Sequence, residues 1–274
     1  KYVVPGTGFV ELREAICRKF SEDNGVGFAP GQIVVNNGAK HSLFLAVAAL
    51  LNPDDEAIIP TPYWVTYSEL PRLVGARPVI VQTQAANGLK LTAEEFRQAI
   101  TPKSKMLFLN TPSNPSGCIY SRVELQALAE VAVEYGIYVL SDEIYEKLIY
   151  GEAEHHCIAA LGDEIKELSL IVNGVSKAYS MTGWRIGYTA ASQEVADGLF
   201  KVQSQEVSHP SSISQIAAIE ALNGPQDAVA EMRVAFDERR CYMVERLNAI
   251  EGVECVLPQG AFYAYPDDSA DYGR

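Results

Sequence analysis

No stretch of this 274-residue chain approaches the roughly twenty consecutive apolar residues that a membrane-crossing helix needs, so no membrane partner is expected. Basic residues are scarce. The 22 Lys and Arg stand against 35 Asp and Glu, a formal charge of −13, which argues against a nucleic-acid or anionic-membrane surface. Any phosphate the chain binds must therefore be held locally. The five cysteines, Cys17, Cys118, Cys157, Cys241 and Cys255, are widely spaced and form no C-x-x-C pair, which suggests neither a disulfide framework nor a zinc site. The four histidines, His41, His155, His156 and His209, lack ligand spacing, and no metal is expected. His155 and His156 read as solvated members of a charged stretch. Internal repeats, low-complexity tracts and Ser- or Gly-rich linkers are missing too. The opening "KYVVPGTG" does not carry the charged-then-apolar pattern of a secretory signal, so a cytoplasmic location is the expectation.

What is present is apolar residue in quantity, 48% of the chain, enough to bury a large core. Phe9, Leu12, Ile16 and Phe20 recur at helical spacing. Short β-rich runs then alternate with helical patterns: "QIVVN", a helix from about Lys40 to Leu51, "EAIIP", a helix around Tyr67 to Leu73, "RPVIV", a helix near Ala93 to Ile100, "KMLFLN", a helix from Ser121 to Tyr135, "IYVLS", "LSLIVN" and "RIGYTA". Such alternation predicts an α/β fold with a mostly parallel central sheet and helices on both faces. Ligands of such sheets sit beyond the carboxyl ends of the strands. From about Ser192 long helical patterns take over, followed by the strand candidates "VECVL" and "AFYAY". The expected division is a large domain over residues 1–230 and the start of a smaller, incompletely represented α+β lobe over 231–274.

Polar and aromatic groups follow the predicted strands. Asn37, Gly38, Ala39 and Lys40 come after the first, Tyr63 and Trp64 after the second, "TPSNPSG" with Asn114 after "KMLFLN", Asp142 and Tyr145 after "IYVLS", and Lys177 after "LSLIVN". Each has a plain structural explanation: a turn and helix start, a packed tryptophan, a proline-punctuated loop, acids favoured by a helix dipole. Together they suggest chemistry. The run from Asn173 to Tyr188 holds Lys177 and Arg185 and no other charge. A lysine among apolar neighbours and near another cation loses proton affinity, and its neutral amine can then attack a carbonyl. A carboxylate at the end of a buried strand, such as Asp142, requires a cationic partner, for which a protonated pyridine nitrogen would serve. Arg185 and the helix start after Gly38 suit a phosphate dianion. Aldehyde, pyridine and phosphate together describe pyridoxal 5'-phosphate.

"SDEIY", "NTPSNPSG" and "SKAYSMTGWRIGY", in this order and separation, resemble the signatures of the class I aminotransferases, pyridoxal-phosphate enzymes of fold type I. The resemblance implies that Lys177 forms the imine with the cofactor aldehyde and then shuttles the proton of the substrate Cα. It implies that Asp142 keeps the pyridine nitrogen protonated and that Tyr145 and Asn114 hydrogen-bond the ring's 3′ oxygen. Trp64 would stack on the ring, and Trp64 and Asn114 would also face the substrate. Arg185 with the backbone at Gly38 and Ala39 would hold the phosphate. Tyr2 matches the family's tyrosine that reaches the neighbouring subunit's phosphate, which implies a homodimer with shared active sites. Three residues before the lysine, where many members carry Ser or Thr, this chain has Gly174.

"NNGAK" is similar to the aspartate and aspartate/glutamate–prephenate aminotransferases of bacteria and plastids, in which the lysine matching Lys40 meets the distal carboxylate of the substrate. A cation beside the cofactor favours dicarboxylic over neutral amino acids. The expectation is ping-pong transfer between aspartate or glutamate and a 2-oxo acid: 2-oxoglutarate, oxaloacetate or prephenate. Alternatives are a C–S lyase or an aminocyclopropane-carboxylate-synthase-like enzyme using the same imine, and a non-catalytic sensing domain. Trp184 and Met181 are expected only to pack the strand after the lysine.

Overall fold

The computed structural model of the chain describes residues 6 to 269. Its centre is a seven-stranded sheet of β1 (Ile33–Asn36), β2 (Glu56–Pro60), β3 (Arg77–Val81), β4 (Ser104–Asn110), β5 (Tyr138–Asp142), β6 (Ser169–Gly174) and β7 (Gly187–Ala190), in the spatial order β1-β7-β6-β5-β4-β2-β3. Strands β3, β2, β4, β5 and β6 pair in parallel, while β7 runs antiparallel to both β6 and β1. The expected mostly parallel α/β sheet is what forms.

Alternation along each strand divides the core in two. Leu107, Val139 and Ile171 face one apolar layer, and Met106, Phe108, Leu140 and Val172 face the other. Because both faces are covered, the strands read as unbroken apolar runs rather than as alternating ones. The first layer is closed by α1 (Val10–Asn24) through Leu12, Ile16 and Phe20, and by a helix at Arg122–Tyr135 through Leu125 and Leu128. The second is closed by α2 (Ala39–Leu50), by α3 (Thr66–Leu73) and by a helix at Gln193–Glu206.

Helix ends follow local chemistry. α4 (Ala93–Ala99) and α5 (Arg122–Tyr135) begin with reciprocal capping, in which Thr92 and Ser121 accept from the backbone of Glu95 and Glu124 while those carboxylates accept in return. α5 ends at Gly136 with φ 64°, a left-handed turn that glycine adopts without steric cost. A short α6 (Asp163–Leu168) precedes β6, and α7 (Gln193–Glu206), α8 (Ser212–Asn223) and α9 (Asp227–Asn248) complete the helices.

The expected boundary at 230/231 falls inside α9, which is unbroken. "VECVL" and "AFYAY" are not strands; the first contributes only an isolated bridge, Glu254 with Asp267, and the second none, the bridge of Ile149 with Gly260 falling just before it. β-propensity mainly reports how well a side chain packs on a half-buried surface. Here Ala261 and Tyr263 obtain that packing against Ile144, Tyr145 and Leu148 without a ladder.

One buried ion pair ties α1 to the turn after β5. Lys19 pairs with Glu146, both side chains about 6% exposed, and Asn24 bridges them, accepting from Lys19 at 2.7 Å and donating to Glu146 at 2.9 Å. Burial alone would raise the Glu146 pKa, but Lys19 and His155 outweigh it and hold the carboxyl at about 2. Its contribution to stability is present above the ordinary range near 4.5 and is lost as pH falls towards 2. Lys19→Met should cost about 3–5 kcal/mol at neutral pH because it strands a buried carboxylate. Urea unfolding measures this, and a loss below about 1 kcal/mol would mean that Glu146 finds water.

Candidate active site

The parallel strands deliver Asn110, Asp142 and Val172 side by side, with Gly174 two residues further along β6, since Asn110 pairs with Asp142 in the β4–β5 register and Asp142 with Val172 in the next. β7 enters from the opposite direction, so its first residue, Gly187, lies at this same edge opposite both Gly174 and Asn36. That reversal explains the spacing of Lys177 and Arg185. The chain leaves β6, presents the lysine, and presents the arginine just before re-entering the sheet. A side chain at Gly174 would meet the Ile186 carbonyl at 2.7 Å, so the family's Ser or Thr does not fit this backbone. Ser176 is buried and lines the site instead.

A cavity of about 320 Å³ opens at this edge. Its wall includes Ala39, Lys40, Trp64, Asn114, Asp142 and Tyr145, and it continues over Lys177 and Arg185. Nine of the sequence-nominated residues are thus near one another, if Gly38, which touches the Arg185 guanidinium, is counted with them. Tyr2 lies outside the described residues.

Asp142 is buried at the end of β5. Burial pushes its pKa up from 3.8 to about 6, against the opposing pull of the Tyr67 hydroxyl, which donates to Oδ2 at 2.8 Å, and of the Ile144 amide. Lys177 is half-buried, with Nζ 5.5 Å from the Tyr145 ring centre and 5.2 Å from that of Phe262. Burial lowers its pKa, Asp142 opposes that, and Arg185 reinforces it. The amine and the acid therefore move towards one another in proton affinity, as acid–base partners do.

Arg185 has φ 55° and ψ 50°, a left-handed backbone unusual for a residue with a Cβ and costing about 1 kcal/mol. Its guanidinium donates to Thr182 O at 2.8 Å and Asn37 O at 3.3 Å. A Cβ at Gly38, where φ is +84°, would collide with that guanidinium, so only glycine lets the cation reach the start of α2. The Gly38 N–H itself donates to Asn36 O at 2.8 Å, which leaves the amides of Ala39 and Lys40 as the donors at this helix start. Lys40 Nζ stands 4.6 Å over the Trp64 ring. An amine, a buried carboxylate and a cation beside open amides around one cavity are the donor set that an aldehyde, a pyridine nitrogen and a phosphate require, so the residues present fit the implied cofactor.

Two residues not singled out in sequence join them. Tyr67 follows Trp64 by one helical turn, a spacing that could have paired them, and meets its ring edge-on at 5.7 Å. Tyr263 lies in "AFYAY"; its hydroxyl is 2.6 Å from that of Tyr145 and accepts from Asn114 Nδ2 at 3.3 Å. No local pattern marks it, because 118 residues separate it from Tyr145.

Two expectations about other residues are overturned. Trp184 is 45% exposed rather than packed, although Met181 does rest on the core. His155 is half-buried rather than solvated, its side chain 7% exposed with Nε2 2.9 Å from Glu143 Oε2, and it forms with Glu143 and Glu146 a cluster of metal-ligand type beside a cavity of about 480 Å³. Lys19, paired with Glu146, already brings a positive charge to this cluster. No helix among the described residues is long and apolar enough to cross a membrane.

The family model "Aminotransferase class I and II" matches residues 2–271. An aspartate aminotransferase of Bacillus sp. (strain YM-2) is 47% identical over 265 residues, covering 97% of this chain and 68% of that protein. An aspartate/prephenate aminotransferase of Cereibacter sphaeroides is 46% identical over 268 residues, covering 97% and 67%. The crystal structure of an aspartate aminotransferase from Rhizobium meliloti superposes with a TM-score of 0.96 at 44% identity, covering 98% of this chain and 68% of that one. The chain spans about two thirds of the length of these relatives.

Proposed function

The chain belongs to the class I and II aminotransferases, of fold type I, and from that premise we propose that it uses pyridoxal 5'-phosphate to move amino groups between a dicarboxylic amino acid and a 2-oxo acid. The observation that supports this reading is the convergence of Lys177, Asp142 and Arg185 on one cavity. When bound, the cofactor supplies a carbonyl that takes up the amino group and a ring that spreads the electrons of the broken Cα–H bond.

The chain's own residues do the rest. Lys177, its proton affinity lowered by burial and by Arg185, is a base of suitable strength to take the substrate's Cα proton and return it. Asp142 holds a proton on the pyridine nitrogen. The carboxylate's burial strengthens that pairing, since besides the Tyr67 hydroxyl and the Ile144 amide a cation is what such a buried charge requires. Asn114 and Tyr145 present donors to the ring's 3′ oxygen, and Trp64 covers one face of the ring. Arg185 and the amides of Ala39 and Lys40 grip the phosphate. The match at Tyr2 extends the reading to a homodimer whose active sites share residues.

Lys40 selects the substrate. Its ammonium stands over the Trp64 ring at the cavity wall, where a second carboxylate can reach it. Lys40→Ala should raise KM for aspartate and glutamate at least about tenfold, a charge-assisted hydrogen bond's worth, and leave phenylalanine nearly unchanged. Equal losses for acidic and aromatic substrates would remove Lys40 from selection. The function itself is tested by supplying aspartate, 2-oxoglutarate and cofactor. Glutamate should accumulate, whereas pyruvate and ammonia formed without an acceptor would establish elimination instead.

A further inference from the structure

We infer that His41 is a positioning residue for the phosphate grip, an inference that rests on reading Arg185 and the start of α2 as the phosphate subsite. His41 is the third residue of α2, with its side chain 10% exposed. Its Nδ1 accepts the Asn37 N–H at 3.1 Å, and its Nε2 lies 2.9 Å from Glu206 Oε2 at the end of α7. The carboxylate can only accept, so Nε2 carries the proton and Nδ1 is left with the lone pair the Asn37 amide needs.

The bond fixes one peptide plane. The Asn36–Asn37 unit is held at both ends, its carbonyl accepting from Gly38 N–H at 2.8 Å and its N–H donating to His41. The next carbonyl, Asn37 O, receives Arg185 Nη2. On the strand side the Asn36 side chain is anchored separately: its Oδ1 accepts from Ser42 and Thr189 and its Nδ2 donates to Gln203. The turn is therefore rigid where it leaves β1, and His41 is what holds it where it enters α2. Without that acceptor the amide plane can rotate, and the carbonyl that seats Arg185 and the amides of Ala39 and Lys40 turn with it.

The two ring nitrogens can be separated by substitution. Asn at position 41 places an amide oxygen near Nδ1 and keeps the Asn37 bond without reaching Glu206; Gln reaches Glu206 and gives up the Asn37 bond. Titrations of the full chain with pyridoxal 5'-phosphate and with pyridoxal, which lacks the phosphate, give the contrast. H41Q and H41L should bind pyridoxal 5'-phosphate about tenfold more weakly, with pyridoxal nearly unchanged, and H41N should stay within about twofold of the parent chain. H41Q binding like the parent, or H41N losing as much as H41Q, would overturn the assignment. H41Q and H41N decide the matter without H41L if that variant does not fold. R185Q, measured in parallel, separates the two levels: if it leaves the preference for the phosphorylated form intact, the phosphate reading itself fails, irrespective of His41.

Discussion

Lys177→Ala should lower turnover by at least about 10⁴-fold, because on the proposed assignment it removes both the amine that captures the cofactor and the base that moves the Cα proton. Borohydride treatment of the cofactor-loaded chain should leave a pyridoxyl mass on the peptide containing Lys177, and none on the variant. The cause is local. Lys177 sits half-buried against the rings of Tyr145 and Phe262, a setting that disfavours the ammonium form. Asp142 opposes that effect without cancelling it. A variant that retained the covalent mass, or more than about 1% of turnover, would move the reaction to another amine and dismantle the assignment.

The second large effect is a trade between stability and activity. Asp142 has its pKa raised to about 6 by burial, so the folded chain carries a penalty for ionising it. A raised carboxylate destabilises in the ionised state: the penalty is absent below the ordinary 3.8, grows between there and about 6, and is fully present above. At about 1.4 kcal/mol per pKa unit its size is on the order of 3 kcal/mol. Asp142→Asn should therefore stabilise the cofactor-free chain at pH 8 by up to ~3 kcal/mol while lowering turnover by about 10³-fold. Urea unfolding at pH 8 and pH 4 checks the first part, and the gain should shrink at the lower pH. A gain of equal size at both would show that burial of the charge is not its source. Tyr67→Phe removes a donor that favours the ionised form, so it should move the acid limb of the pH–rate profile upward.

The parallel core was legible because each strand is buried on both faces and announces itself as an apolar run, and because Ser121 with Glu124 and Thr92 with Glu95 mark helix starts by local chemistry. The site was legible to the extent that its residues follow strands directly: Asn114, Asp142 and Lys177 need only the chain direction to be placed. Tyr67 was hidden because an interior tyrosine on an amphipathic helix looks like core, and it is core on all but its hydroxyl. Tyr263 was hidden by distance along the chain, and its β-rich surroundings pointed to a strand that does not form. His155 was misjudged because charged neighbours suggest solvent, whereas here Glu143 and Glu146 are themselves buried and draw the ring inward. Trp184 ends a short 3-10 turn just before the left-handed Arg185 and stays exposed there, a local geometry that no composition rule anticipates.

Gly174 pairs with Gly187 where a Cβ on the first would strike the β7 backbone and a Cβ on the second the backbone of Gly38 and Ala39, so the twelve residues 175–186 between them work as a calliper whose jaws are Lys177 and Arg185. On the proposed assignment, the span between the lysine amine and the phosphate grip is thereby set by loop length as much as by residue type. Adding or removing a single residue there should disable the enzyme with every functional group still present.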